Sequence, residues 1–272
     1  MNTVLKEKLL DIAKEAALKA GEIHLKYYDL PKEIYHKSNE FDLVTNVDKE
    51  SEEIIIKTIL SKFKNHSILA EESAEINQNS EFEWIIDPLD GTTNYAHKFP
   101  QFCVSIGLAY QKEIYVGVVY DALKKELFFA TKDGGAFLND KQIQVSSIKD
   151  LSKCLLATGF PYDRTNKENI NFEYFKRFFY TSQAIRRPGA AALDMSYLAC
   201  GRLDGFWELK LAPWDTAAAS LIVREAGGIV TNFFTGEFNI FVKSVIAANN
   251  KTIYDAMTKI LREATPHDTV LY

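Results

Sequence analysis

Eleven residues, Trp84-Ile85-Ile86-Asp87-Pro88-Leu89-Asp90-Gly91-Thr92-Thr93-Asn94, constrain this chain more than any other stretch. Trp84 to Ile86 reads as a short buried strand that delivers two carboxylates, Asp87 and Asp90, at its exit. Pro88 fixes its own φ and carries no N–H, so the strand is expected to stop there and the chain to turn between the aspartates. Gly91 lets the backbone approach a ligand closely, and two threonine hydroxyls follow it. Carboxylates, an exposed turn carbonyl and hydroxyls are hard-oxygen donors of the kind Mg²⁺ selects. The amides after Gly91 suit a phosphate oxygen. An isolated Asp-Pro pair is usually an ordinary turn before a helix start; the length of the string sets this one apart.

The chain has 272 residues, enough for one large domain or two smaller ones packed together. An apolar share of 47% and a charged share of 25% predict a full hydrophobic core. A net charge of −5 argues against nucleic acid as the main ligand. No apolar run reaches the ~18 residues of a membrane span, and the first residues lack the apolar segment of a signal peptide. Cys103, Cys154 and Cys200 are odd in number and sit in apolar contexts, which fits buried thiols in a reducing cytoplasm. The five histidines form no zinc-binding spacing.

Leu5, Leu9, Ile12, Ala16, Ala20, Ile23 and Tyr27 form one stripe and predict a long amphipathic helix ending before Pro31. A polar loop through Lys37 leads to the brief alternation Phe41–Thr45. A second helix starts at Asp48, with Ile55, Ile59 and Phe63 on one face, and His66–Ala70 reads as a strand ending at Glu71-Glu72. After the Asp-Pro string the texture is an antiparallel meander: Val104–Tyr110, Ile114–Tyr120, Leu127–Ala130, Ala136–Leu138 and Gln142–Val145. From about Leu151 strands and helices alternate. Helices are expected at Glu168–Tyr180, Ala190–Cys200 (stopped by Gly201), Asp215–Ala226 and about Lys251–Glu263; strands are expected at Cys154–Thr158, Ala184–Arg186, Gly205–Leu209 and Val245–Ala248.

Four acids fall at element ends: Glu71, Asp87, Asp90 and Asp215. Element ends hold side chains firmly while leaving them accessible. Each has a plainer reading: Glu71 as a solvated loop acid, Asp215 as a helix cap, and Asp48 as a helix N-terminal stabiliser. Arg186-Arg187 reads as a structural or interface pair ahead of the other reading, a phosphate or nucleic-acid clamp, and the aromatics between Phe172 and Tyr180 read as core or dimer surface. Gly227-Gly228 is no dinucleotide loop.

The chain resembles the inositol monophosphatase family of Mg²⁺-dependent, lithium-sensitive phosphatases. The resemblance is carried by Asp42-Leu43-Val44-Thr45-Asn46-Val47-Asp48, Glu71-Glu72-Ser73, the Asp-Pro string, Gly189-Ala190-Ala191-Ala192-Leu193-Asp194, Gly201–Glu208, and Trp214-Asp215-Thr216-Ala217-Ala218 running to Gly228. These blocks keep the family's order. The resemblance implies an α/β fold of the sugar-phosphatase type, layered αβαβα. Residues 1–146 would carry the meander and the Asp-Pro site, residues 147–272 the α/β substrate side, with the metals between them. It further implies that Glu71, Asp87, Asp90 and Asp215 bind two to three Mg²⁺ ions. Leu89 would ligate through its backbone carbonyl, its side chain being free to vary. Asp48 and Thr92, with Glu71, would orient and deprotonate the attacking water. Gly91, Thr92 and Thr93 would contact phosphate. Gly189, Ala190, Ala191, Glu208 and Asp215 would hold the alcohol half of the substrate, and Lys37 would lie in a loop near the metals.

The activity so implied is Mg²⁺-dependent hydrolysis of a small phosphorylated polyol or sugar, inositol 1-phosphate or a near relative, by a cytoplasmic homodimer. Fructose 1,6-bisphosphate, NADP and a 3′-phosphonucleotide are the alternative substrates. A regulator binding RNA or transcription proteins, with incidental phosphatase activity, is the alternative of another class. Two departures from the family pattern are Ala70, where Gly is usual, and Ala190, where many members carry Thr or Ser.

Overall fold

The computed structural model describes residues 3–30, 33–36, 43–73, 75–162 and 171–265. Lys37, Phe41, Asp42 and the expected helix start at Glu168 lie outside these residues. In chain order the elements are α1 (Thr3–Tyr27), β1 (Ile34–His36), β2 (Leu43–Thr45), α2 (Asn46–Lys62), β3 (Ser67–Ala70), β4 (Phe82–Asp90), α3 (Thr92–Ala96), β5 (Cys103–Tyr110), β6 (Glu113–Asp121), β7 (Glu126–Thr131), β8 (Ala136–Leu138) and β9 (Lys141–Ile143). There follow β10 (Leu155–Thr158), α4 (Asn171–Thr181), β11 (Ala184–Arg186), α5 (Ala191–Ala199), β12 (Gly205–Leu209), α6 (Pro213–Glu225), β13 (Ile229–Thr231), β14 (Ser244–Ala248) and α7 (Lys251–Ala264).

Strands β3 to β9 form one sheet in chain order, antiparallel except for the parallel β3–β4 pair. A second sheet has the order β11-β10-β12-β14-β13. Period-two alternation decides what covers the first sheet. Trp84 and Ile86 face one way and pack with Leu9, Ala16 and Ile55 of α1 and α2. Ile85 faces the other way and joins a core built from α5, α6 and inner residues of the second sheet such as Phe206 and Ala247. The outer face of that sheet is closed by α4 and α7 through Tyr174, Phe178, Trp207 and Met257. The layers therefore run helix, sheet, helix, sheet, helix, as the family resemblance implies.

The middle layer is thin because its contacts are small. Ala217, Ala218 and Ala219 of α6 are buried against β5 and β6. A Cβ on Gly107 would sit 2.9 Å from Ala217 Cβ, and one on Gly117 would collide with the Ala218 carbonyl. Glycine at both positions lets α6 lie on the sheet, which carries its N-terminus to the end of β4.

Two local expectations are corrected. Strand β4 does not stop at Pro88: Asp87 lies opposite Ser105 and Asp90 opposite Cys103, three steps on one strand against two on the other. Pro88 costs one ladder bond, and a bulge absorbs it while pairing resumes at Asp90. Helix α6 begins at Pro213, so Asp215 is its third residue rather than its first. Strand β13, three residues after a Gly-Gly pair, is too short to show as a pattern in the sequence.

Candidate active site

The bulge in β4 gives alternating directions to its last residues. Asp87 shares the face of Ile85, whereas the side chain of Leu89 is buried in a separate cluster with Val47, Tyr95 and Phe102. That packing corrects the expectation that Leu89 is free to vary, because any replacement must fill the same buried space. Asp90 turns back toward α5, where its Oδ2 accepts the Ala192 N–H at 2.8 Å and faces the Cys103 thiol.

Each of the other acids is also held by backbone. Glu71 follows β3, and its N–H reaches the Ile86 carbonyl at 3.2 Å, which puts it beside Asp87 at the sheet end. Asp87 Oδ1 accepts the Leu89 N–H at 2.9 Å. Asp215 Oδ2 accepts the Ala212 N–H at 2.6 Å. Asp48, the third residue of α2 and fully buried, accepts from the Thr45 N–H (2.8 Å) and hydroxyl (2.6 Å). Its second oxygen lies 2.9 Å from Thr92 Oγ1. Asp48 therefore caps α2 through one oxygen and meets Thr92 with the other, and Asp215 caps α6 while lining the cleft, so a capping contact does not exclude a place at the site.

Glu71, Asp87, Asp90, Leu89, Gly91, Thr92, Thr93, Gly189, Ala190, Ala191, Glu208 and Asp215 line a single cleft of about 110 Å³. Burial pushes the Asp87 carboxyl far above the usual carboxylate range, and the charges of Glu71, Asp90 and Asp215 push it further. Burial raises Asp90 to about 6, although the Ala192 N–H pulls the other way. Glu208 is pushed up to about 8 by burial and then by Asp215 and Asp90. Acids that raise one another's pKa need either protons or cations. Among the described residues no three Asp, Glu, His or Cys side chains are already assembled as an ion cage. Backbone tethers hold the acids around the cleft, and the Asp87 carboxyl also meets that of Glu71, a contact that raises its pKa further. The donors are oxygens, and Cys103, whose thiol burial keeps protonated, offers no thiolate. Such a set fits a hard divalent cation.

Several residues here escaped the sequence. Glu52 is buried and its Oε2 accepts the Glu72 N–H at 2.9 Å, pinning the turn after Glu71. The Asn94 amide reaches the Pro188 carbonyl at 2.8 Å and that of Gly189 at 3.2 Å, tying the Asp-Pro segment to the substrate-side turn. Gly159 leaves the space that Glu208 occupies, since a Cβ there would overlap that carboxylate. Arg187, expected to be structural or at an interface, lines the cleft with Phe160 and Tyr162, whereas Arg186 ends β11 on the surface. Successive side chains at a strand end point to opposite sides, so the two adjacent arginines part company, and the chain then turns at Pro188-Gly189 (Gly189 φ +88°). Lys37 lies outside the described residues.

Likeness to known proteins agrees with this geometry. The model of the inositol monophosphatase family matches residues 5–265. Inositol-1-monophosphatase of Synechocystis is 45% identical over 258 residues, covering 94% of this chain and 89% of the relative. The Nus factor SuhB of Escherichia coli is 42% identical over 257 residues, covering 94% and 96%. The structure of inositol monophosphatase from Anabaena superposes with a TM-score of 0.86 at 42% identity, covering 96% of this chain and 98% of that one. With its acids around one cleft on this five-layered frame, the chain belongs to the inositol monophosphatase family and is a phosphoric monoester hydrolase.

Proposed function

We propose that the protein hydrolyses a small phosphorylated polyol or sugar, inositol 1-phosphate or a near relative, with two to three Mg²⁺ ions held by Glu71, Asp87, Asp90, Asp215 and the Leu89 carbonyl. The observation that carries this reading is the convergence of Glu71, Asp87, Asp90 and Asp215 from three separate segments (the end of β3, the end of β4 and the start of α6) on one cleft. Bound Mg²⁺ would neutralise phosphate charge and lower the pKa of water. The chain's own groups do the rest. The Thr92 hydroxyl carries one hydrogen and has two acceptors at 2.9 Å, Asp48 Oδ1 and the Leu89 carbonyl; with that hydrogen on Asp48, its oxygen is left to accept a water proton. Gly91, Thr92 and Thr93 start α3 and offer amides to the phosphate. Glu208 and the Gly189–Ala191 turn stand on the substrate side, which corresponds to the proposed division into residues 1–146 and 147–272.

A phosphate-release screen over inositol monophosphates, fructose 1,6-bisphosphate, NADP and 3′-phosphonucleotides, read as kcat/KM, tests this. Inositol monophosphates should lead; a bisphosphate or nucleotide at least ~10-fold better, one decade being about 1.4 kcal/mol, would reassign the substrate. The regulator reading rests on likeness to the Nus factor SuhB. The complete acidic set weighs against activity that is merely incidental.

We also propose a homodimer. Phe172, Phe179 and Tyr180 of α4 are 65%, 63% and 77% exposed, large apolar area for a lone chain to leave in water. Light scattering at micromolar concentration should return twice the chain mass, and the mass of a single chain would refute it.

A further inference from the structure

The peptide between Pro88 and Leu89 is gripped from both sides. Its N–H donates to Asp87 Oδ1 at 2.9 Å. Its carbonyl, that of Pro88, accepts from Nε2 of His24 at 2.9 Å in a buried contact 64 residues away in sequence. A peptide unit is planar, so fixing the direction of the C=O fixes that of the N–H on the opposite edge. Hydrogen bonds in such a chain also polarise one another. The imidazole is thereby linked, through one rigid plane, to the orientation of the Asp87 carboxylate.

His24 is itself held firmly. It is fully buried in the last turns of α1. Its ring lies 5.8 Å from that of Tyr95 and 5.9 Å from that of Phe102, and the Tyr95 hydroxyl donates to the His24 carbonyl at 2.7 Å. The same two aromatic rings pack on the Leu89 side chain. The other ring nitrogen, Nδ1, is buried with no hydrogen-bond partner among the described residues. An unpaired buried acceptor is a standing cost, and an apolar side chain of similar size would avoid it. What the imidazole supplies that an apolar side chain could not is the Nε2–H.

We infer that His24 is a positioning residue for the acidic corner: its hydrogen bond to the Pro88 carbonyl sets the peptide plane that orients Asp87 toward a divalent cation. This rests on the proposed role of Asp87 as a metal ligand. Burial holds the imidazole pKa down to about 4, so the ring stays neutral with its proton available to Pro88 at neutral pH.

The test compares His24→Leu, which keeps bulk but removes the donor, with His24→Gln, whose terminal amide can donate to the same carbonyl. Mg²⁺ affinity is measured by isothermal titration calorimetry on the full chain, alongside Tm in EDTA and the kcat and KM of phosphate release. His24→Leu should weaken Mg²⁺ binding about tenfold, in the range for groups that orient metal ligands, with KM for the phosphate ester changed less. His24→Gln should stay within about twofold of the unchanged protein. Should His24→Leu fail to fold, His24→Asn, whose shorter side chain cannot reach Pro88, takes its place against His24→Gln. Unchanged affinity in the donor-less variant overturns the inference. So does equal weakening in both variants in step with lost Tm, which would make His24 a packing residue only. If the unchanged protein binds no Mg²⁺, the metal reading itself fails and takes this inference with it.

Discussion

Chelating divalent cations with EDTA should abolish phosphate release, and adding Mg²⁺ should restore it. The reason lies in the cleft, where burial and the charges of Glu71, Asp90 and Asp215 raise the affinity of Asp87 for positive charge. The same crowding predicts a pH dependence of the metal-free protein. Burial pushes Glu208 up to about 8 and Asp90 to about 6, both above their unfolded range near 4. An acid whose folded pKa is raised binds more protons folded than unfolded, so stability falls as pH rises toward the folded value. His24 runs the opposite way, its depressed pKa costing stability only below about pH 6.5. Between pH 7 and 8.5 Glu208 sets the sign, and the cysteine thiols that burial keeps protonated act in the same direction. In EDTA, Tm should therefore fall across that window. Saturating Mg²⁺ should raise it: ligand at 100 times its Kd contributes about 2.7 kcal/mol. For a chain of this size that is roughly 5–10 °C. Turnover that persists in EDTA, or a Tm that rises from pH 7 to 8.5 in EDTA, would contradict the account.

Asp215→Asn should lower kcat/KM by at least ~100-fold, as when charge stabilisation of a transition state is removed. The substitution discriminates well because the residue has two jobs. As the third residue of α6 it accepts the Ala212 N–H, and the Asn side-chain oxygen can do the same. The capping contribution at stake is only about 1 kcal/mol, so the variant should fold. What Asn cannot supply is the anionic oxygen facing Asp87 and Glu208. A folded variant with near-normal turnover would reduce Asp215 to a helix cap.

Much of this architecture is visible in the sequence because its signals are local. The α1 stripe, the meander spacing and the Asp-Pro string each lie within a few turns or strands of chain. The order of the blocks from Asp48 to Gly228 then carries the family and its five layers. What escapes depends on contacts made across the fold. Pro88 looks like a strand terminator until β5 offers Asp90 a partner beyond the bulge. His24 looks like one polar residue in a helix, since its partner is 64 residues away. Glu52 reads as a surface acid on α2, yet it is buried under the Glu71-Glu72 turn. The packed side chain of Leu89 is not legible, because the cluster it enters joins four elements. Arg187 lines the cleft and Arg186 does not, a difference set by which side of the strand end faces the cleft, which two adjacent letters cannot convey.

The central claim is that acids from separate segments hold divalent cations together at one cleft. A crystal equilibrated with Mn²⁺, which accepts the same oxygen ligands and can be located by anomalous scattering, tests it directly. Anomalous peaks within about 2.0–2.3 Å of Asp87 and Asp90, with Glu71 or Asp215 completing the shell, are the predicted result. A cleft without a peak at saturating Mn²⁺, or a peak bound by one carboxylate alone, would contradict it.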